Sequence, residues 1–344
     1  MSEQDLARWS GAPGDPAPRS DGLAAAATSP SAPTVPAAQA GVTRVDVKFQ
    51  VGEWVLWRVR LPLRTHRVSV GDLIAGRPVV GPAGLDVGRG VYLRSVPVGQ
   101  LAAIRTACGG AICHERQRYH RRWTPLGGGF DAYLAGLSRK SRSTLNRKVK
   151  KWREMAGGLH VEAYGTPEEM LRFQDLARRI SRRTYQEKQL DAGLPDSAAH
   201  IDAMCELARC DQVRGYILFL EHAPVSYLYL PAEDSCLLYA YLGYDPDVAQ
   251  HSPGAVLQME AFRRLFAEGA FSVFDFTEGD GQHKRVFGTE SVDCADVLIL
   301  PRTLRHRTLL AALSGFDAAV ARLSALAARL GLEARVRRLL RGRA

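Results

Sequence analysis

The chain has 344 residues, with 46 Lys plus Arg against 36 Asp plus Glu and a formal net charge of +10. Hydrophobic residues at 46% and charged residues at 24% are ordinary globular proportions, which excludes wholesale disorder and leaves enough apolar side chains for a sizeable core. No uninterrupted apolar run approaches the ~18 residues of a membrane span, and Glu3 and Asp5 fall where a secretion signal would be basic and then apolar, so the expectation is a soluble, cytoplasmic protein.

Residues 1–41 are dominated by Ala, Pro, Ser and Gly and are expected to be a disordered lead-in, because such a stretch buries too little apolar surface to offset its ordering entropy. From Arg44 the pattern alternates through Val45, Val47 and Phe49, then Trp54, Leu56, Val59 and Leu61, a period of two that predicts strands. Further strands are expected around Val91–Val96 and Ala111–Tyr119, making 42–130 a small α/β module. A single long helix is expected next, over 131–158, from Tyr133, Leu134, Leu137, Leu145, Val149 and Trp152 at mostly three- and four-residue steps. It would connect the first module to a second.

The second module, 159–302, reads as a strand from Leu159, then a helix opened by Thr166-Pro167-Glu168-Glu169, which combines an N-cap, a first-turn proline and a capping-box Glu. A helix over about Asp196–Ala208 follows, then strands Val213–Leu220, Val225–Leu230 and Cys236–Leu242. Ser252-Pro253-Gly254 opens another helix with Ser252 as N-cap. Phe271–Phe276 is a strand, Thr277–Gly288 a loop or short helix, and Val292–Leu300 the last strand. The segment 303–344 is expected to be two basic amphipathic helices punctuated by Gly315 and Gly331, packed on the body or lying on a partner.

Charge is concentrated in two places. Ser138–Met155 holds eight basic residues against Glu154 alone, and 303–344 holds nine arginines against Asp317 and Glu333. Each is either a solvated face or an attraction for a polyanion, tRNA or an anionic membrane surface being the two partners considered. The six cysteines include two C-x4-C pairs, Cys108/Cys113 and Cys205/Cys210, a spacing unlike the C-x2-C hooks of structural zinc; reduced, mostly buried thiols and no metal are expected. Asp245-Pro246-Asp247 is read as a turn rather than a metal-binding acidic pair. A phosphate loop, H-E-x-x-H and G-x-S-x-G are all absent.

The element order from Leu159 to Leu300 resembles a GNAT acyltransferase domain. Within that superfamily, Leu242-Gly243-Tyr244-Asp245-Pro246, the run His251–Leu257, and Phe274-Asp275-Phe276-Thr277-Glu278-Gly279 followed by Lys284 and Phe287 resemble the CelD-like (cellulose-biosynthesis-type) acetyltransferases, relatives of the Fem-type peptidyl transferases. The basic run from Ser138 fits the same group. The resemblance covers about 130–300 well and 42–130 loosely. It implies an α/β (α+β) fold with a mixed sheet, helices on both faces, two GNAT-like modules in tandem, and C-terminal helices. It also implies N-acetyltransferase-type transfer from acyl-CoA, acetyl-CoA above all, to an amine or hydroxyl of a small-molecule or saccharide acceptor. The alternatives are an aminoacyl-tRNA-dependent Fem-like transferase and a non-catalytic scaffold that binds polyanions.

The donor's pyrophosphate would meet the helix N-terminus formed by Gln250, His251, Ser252, Gly254 and Ala255. Pro253, which has no N–H, stands where GNAT enzymes carry a glycine. The candidates for proton transfer and charge stabilisation are Asp275, Lys284, Tyr241, Tyr239 and Glu278, with His283, Cys236 and Cys294 held in reserve and Tyr185 and Gln186 on the acceptor side. Tyr239 and Tyr241 are expected to share one face of a strand, and Asp275 to point away from Phe274 and Phe276, either to solvent or to cap a loop.

Overall fold

A computed structural model describes residues 42–51, 54–79, 87–155, 158–183, 193–279 and 281–329. The expectations for 1–41, for Tyr185 and Gln186, and for a second helix beyond 329 lie outside the described residues. In chain order the strands are β1 (Val42–Val51), β2 (Trp54–Arg67), β3 (Val91–Pro97), β4 (Ile112–Pro125), β5 (His160–Tyr164), β6 (Val213–Leu220), β7 (Ala223–Glu233), β8 (Cys236–Leu238), β9 (Tyr241–Tyr244), β10 (Val273–Asp275) and β11 (Glu290–Leu300). The helices are α1 (Val70–Ile74), α2 (Leu101–Ala107), α3 (Phe130–Gly136), α4 (Arg139–Arg153), α5 (Pro167–Ser181), α6 (Ala198–Arg209), α7 (Pro253–Glu268), α8 (Gln282–Phe287) and α9 (Leu304–Arg329). The described chain divides into two compact units, the first formed by Phe130–Ala232 and Ala240–Glu268, the second by the described parts of Thr34–Gly129, Glu233–Tyr239 and Gly269–Ala344.

In the first unit β5, β6 and β7 are antiparallel neighbours and β9 pairs antiparallel with β7. β6 is buried along nearly its whole length, as expected of a strand covered on both faces. Its odd residues Val213, Ile217 and Phe219 join Met170, Phe173, Ala177, Ile180 and Met204 from α5 and α6 in one core. α5 is opened by the expected capping box: Thr166 accepts from the Glu169 N–H while the Glu169 carboxylate accepts from the Thr166 N–H at 3.0 Å. The expected long helix is two helices. Gly136 ends α3, and the Ser138 hydroxyl caps α4 by accepting from Ser141 N–H at 3.1 Å. α4 packs by Leu145, Val149 and Trp152, leaving its basic face outward.

In the second unit the order is β1-β2-β3-β11-β4-β10-β8, with β2–β3 and β10–β8 parallel and the remaining pairs antiparallel. One face buries Leu93, Val96, Val297 and Ile299 with Leu101 and Ile104 of α2. The other buries Val47, Leu61, Leu63, Leu298 and Leu300 against Leu310 and Leu313 of α9. α9 runs unbroken through Gly315 where a break was expected. By length and composition, Leu304–Leu326 is also apolar enough to cross a membrane, at mean hydropathy 1.5. Asp317 and Arg322 interrupt the apolar run, which is why a search for an uninterrupted one passes over it.

The strand expected over Cys236–Leu242 is two. β8 pairs parallel with β10 in the second unit, and β9 pairs with β7 in the first. Tyr239 and Tyr241 therefore do not share a strand face. Only two of the six thiols are buried, Cys108 and Cys294, and Cys210 is exposed.

Candidate functional site

The first unit builds its site where β9 leads into α7. Asp245 caps a short 3-10 turn, Pro246–His251, by accepting from the Asp247 N–H at 3.1 Å. Arg183 holds Asp245 and Asp247 at 2.6 Å each. Ser252 then adopts a left-handed backbone, φ 54° and ψ 51°, which swings the chain into α7. This corrects the expected N-cap, whose backbone is extended. Its carbonyl accepts from the Ala255 N–H at 3.1 Å and the Val256 N–H at 3.3 Å. Pro253 occupies the first helical position, where a missing N–H costs nothing.

Gly254 is buried against β9, and a Cβ there would lie 2.8 Å from Leu242 Cδ2, so any side chain at this position has to displace the leucine. Trp152 of α4 donates its indole N–H to the His251 carbonyl at 2.9 Å, tying the basic helix to the start of α7. Burial first, and the Lys151 ammonium second, hold the His251 imidazole below its ordinary pKa. Its Nδ1 is buried and has no hydrogen-bond partner among the described residues. Gln250 is exposed and Ala255 half-buried. Tyr241 is half-buried, its ring 6.2 Å from Tyr229 and 6.4 Å from His200.

The second unit contains a buried polar network that sequence reasoning only partly reached. Asp275 of β10 is fully buried, which overturns the solvent-facing alternative, while its bond to the Thr277 N–H is the expected cap of the following loop. Its Oδ1 accepts from Arg121 Nε at 3.0 Å and from the Thr277 N–H at 2.8 Å, and its Oδ2 accepts from Arg121 Nη2. Burial alone would lower the Arg121 pKa, but Asp275 outweighs it and holds the guanidinium charged. Arg121 also donates to Ser95, whose hydroxyl lies 2.8 Å from the Tyr119 hydroxyl. Buried Asp296 collects the Ser95 N–H, Tyr119, Tyr92 and Gln117 at 2.8–3.1 Å.

Glu278 and Lys284 join the same network. Burial would raise the Glu278 carboxyl pKa, yet Arg121 and Arg94 hold it below the usual range. Arg94 pairs with it at 3.2 Å. Lys284, buried on α8, donates to the Glu278 carbonyl. Tyr239 lies 5.2 Å from the His283 ring, and burial with Lys284 pushes that imidazole down to about 4. Burial raises the Cys236 thiol and pushes Cys294 up to about 12, the wrong direction for a thiolate nucleophile.

Asp275, Glu278, Lys284 and Tyr239 are thus brought together in the second unit, whereas Tyr241 and the residues from Gln250 to Ala255 belong to the first. Sequence reasoning missed Arg121, Ser95, Tyr119 and Asp296. Asp296 left one signal, a lone carboxylate inside the otherwise apolar run from Cys294 to Leu300. Among the described residues no group of three or more His, Cys, Asp or Glu is arranged to hold a metal.

Residues 139–285 match the family described as an acetyltransferase (GNAT) domain. That span runs from the first residue of α4 into α8, so it includes the basic helix and the start of α7. The mixed α/β architecture with helices on both sheet faces is GNAT-like. Among solved structures the chain is similar to FemX, at 12% identity and TM-score 0.46 over 78% of this chain and 90% of that one. It is also similar to a conserved protein of unknown function from Bacteroides thetaiotaomicron VPI-5482, at 13% identity and TM-score 0.45 over 62% and 70%. A third, L-PGS from Bacillus licheniformis, shares 13% identity at TM-score 0.42 over 65% and 72%. No curated protein matches the chain.

Proposed function

We propose that the protein is an acyltransferase that moves an acyl group, acetyl in the simplest case, from acyl-CoA to an amine or hydroxyl. The observation that carries this reading is the start of α7. A helix N-terminus presents the positive end of its dipole to a pyrophosphate; at α7 Pro253 has no N–H and the Ala255 and Val256 N–H groups donate to the Ser252 carbonyl, which leaves the Gly254 N–H for the ligand. This helix start follows β9 directly, lies beside the basic α4, and has the unpartnered His251 Nδ1 at its entry. The family match over 139–285 supports the same reading.

Transfer forms a C–N or C–O bond at the thioester carbonyl as the C–S bond breaks; the acceptor gives up a proton and the departing thiolate gains one. Tyr241, in the same unit as α7, is the phenol we assign to the thiolate. In the second unit Lys284, which donates to the Glu278 carbonyl, is the cation proposed for developing negative charge, and Tyr239 lies beside His283 in that unit. Asp275 is assigned a positioning role through Arg121, because both its oxygens are engaged.

A second reading, with an aminoacyl-tRNA as donor, is favoured by the exposed Arg139, Lys140, Arg147, Lys150 and Lys151 on one helix. Calorimetric titration with CoA and acetyl-CoA at two salt concentrations separates the two. Saturable binding in the micromolar range supports acyl-CoA. Absence of CoA binding, with salt-dependent tRNA binding weakened by Lys148→Ala and Lys151→Ala, overturns it in favour of the second.

A further inference from the structure

α9 begins as an ordinary docked helix. Leu310 and Leu313 are buried in the second unit's core, the Phe316 ring meets Phe49 at 5.5 Å, and Asp317 pairs with Arg116 at 2.7 Å. Past Asp317 the helix continues to Arg329, about 18 Å farther at ~1.5 Å per residue, and beyond the half-buried Val320 the cover stops. The apolar stripe does not. Leu309, Leu313, Phe316, Val320 and Leu323 recur at three- and four-residue steps, so the stripe that packs on the core runs on without a partner. Leu323 is 66% exposed and Leu326 52% exposed, values far above those of ordinary core-facing leucines.

Charge says what would cover this face. Arg302, Arg305, Arg307, Arg322 and Arg329 are exposed, and among the described residues none of them pairs with a carboxylate. The sequence 330–344 adds Arg335, Arg337, Arg338, Arg341 and Arg343 against Glu333, interspersed with Leu330, Leu332, Val336, Leu339 and Leu340. Apolar side chains flanked by arginines suit an anionic lipid surface, where the leucines enter the acyl boundary and the guanidinium groups meet headgroup phosphates. A second copy would bring like charges together, and RNA would leave the leucines uncovered.

Spanning is disfavoured. It would strip Leu310 and Leu313 from their core and carry the Asp317–Arg116 pair into hydrocarbon. We infer that the distal half of α9 is a membrane-surface anchor: it lies in the plane of an anionic bilayer and tethers the protein there by Leu323, Leu326 and the neighbouring arginines.

The test is flotation of the full chain with phosphatidylcholine vesicles, with and without phosphatidylglycerol, for the parent and for Leu323→Glu/Leu326→Glu. The substitutions lie on exposed positions beyond the docked segment, and an unchanged melting temperature confirms that they leave the fold intact. The inference expects the parent to float with phosphatidylglycerol vesicles, less so at high salt, and the variant to lose at least tenfold of the bound fraction. Three results would each overturn it: no flotation of the parent, equal flotation of the variant, or a dimer by light scattering that the variant dissolves.

Discussion

Arg121 of β4 and Asp275 of β10 form a two-pronged ion pair in which neither side chain has any solvent exposure. Removing Asp275 leaves the buried guanidinium with Glu278 at 3.6 Å as its remaining carboxylate, a loss of up to about 3–5 kcal/mol. Asp275→Ala is therefore expected to lower stability by that amount in denaturant unfolding. Arg121→Met/Asp275→Leu should recover part of it, because apolar packing replaces the pair while Glu278 keeps Arg94 as its partner at 3.2 Å. A loss of activity in Asp275→Ala alone does not assign a proton-transfer role, and the double variant provides the control.

Ala255 sits at the third position of α7, half-buried, where a carboxylate would favour the helix dipole and repel a bound phosphate. Ala255→Asp is expected to keep the melting temperature within a few degrees. The same change should weaken CoA binding by about tenfold or more, since the dipole contribution near ~1 kcal/mol becomes a like-charge repulsion. Calorimetry on parent and variant reads both effects. Unchanged CoA affinity would place the donor elsewhere.

How much of this was legible in the sequence depended on whether the deciding interaction was local. The Thr166–Glu169 capping box is local, and it stands as expected. The alternation rule failed at Asp275 because Phe274, Asp275 and Phe276 are all buried, in a strand paired on one side with β4 and on the other with β8. Nothing between Leu238 and Tyr241 marks a break; the strand divides because its two ends pair with strands distant in sequence. Arg121 carries no local signal of its own, since Arg122 beside it is the same residue type and only the fold brings Asp275 to one of the two.

Lys284→Met tests the cation. If Lys284 stabilises developing negative charge, kcat is expected to fall by about a hundredfold with the donor KM unchanged, and Lys284→Arg should restore part of it. A parallel fall in melting temperature without the split between kcat and KM would assign Lys284 to holding the Glu278 carbonyl instead.

Acid is expected to weaken the fold before the carboxylates titrate. Burial lowers the imidazoles of His66, His114, His200, His251 and His283, the last to about 4. A depressed imidazole contributes stability that is complete above its unfolded value near ~6.5 and is lost as pH falls toward the folded one. The melting temperature should therefore fall between about pH 6.5 and pH 4. His283→Gln should make that fall shallower. A flat profile across the window would show that these imidazoles take up protons in the fold as readily as in the unfolded chain.

Gly254 and Leu242 offer the sharpest packing test. A Cβ at Gly254 would stand 2.8 Å from Leu242 Cδ2, too close unless the leucine moves. Gly254→Ala is expected to cost about 1–3 kcal/mol through overpacking, despite the helix propensity that favours Ala by up to ~1 kcal/mol. Leu242→Ala alone leaves a cavity and costs about 2–5 kcal/mol. Combining them should cost less than the sum, since each relieves the other, with a coupling of about 0.5–3 kcal/mol in a double-mutant cycle of denaturant unfolding. Simple additivity would mean that β9 and the start of α7 shift apart independently, and the close seating of this helix on its strand would then have no energetic weight.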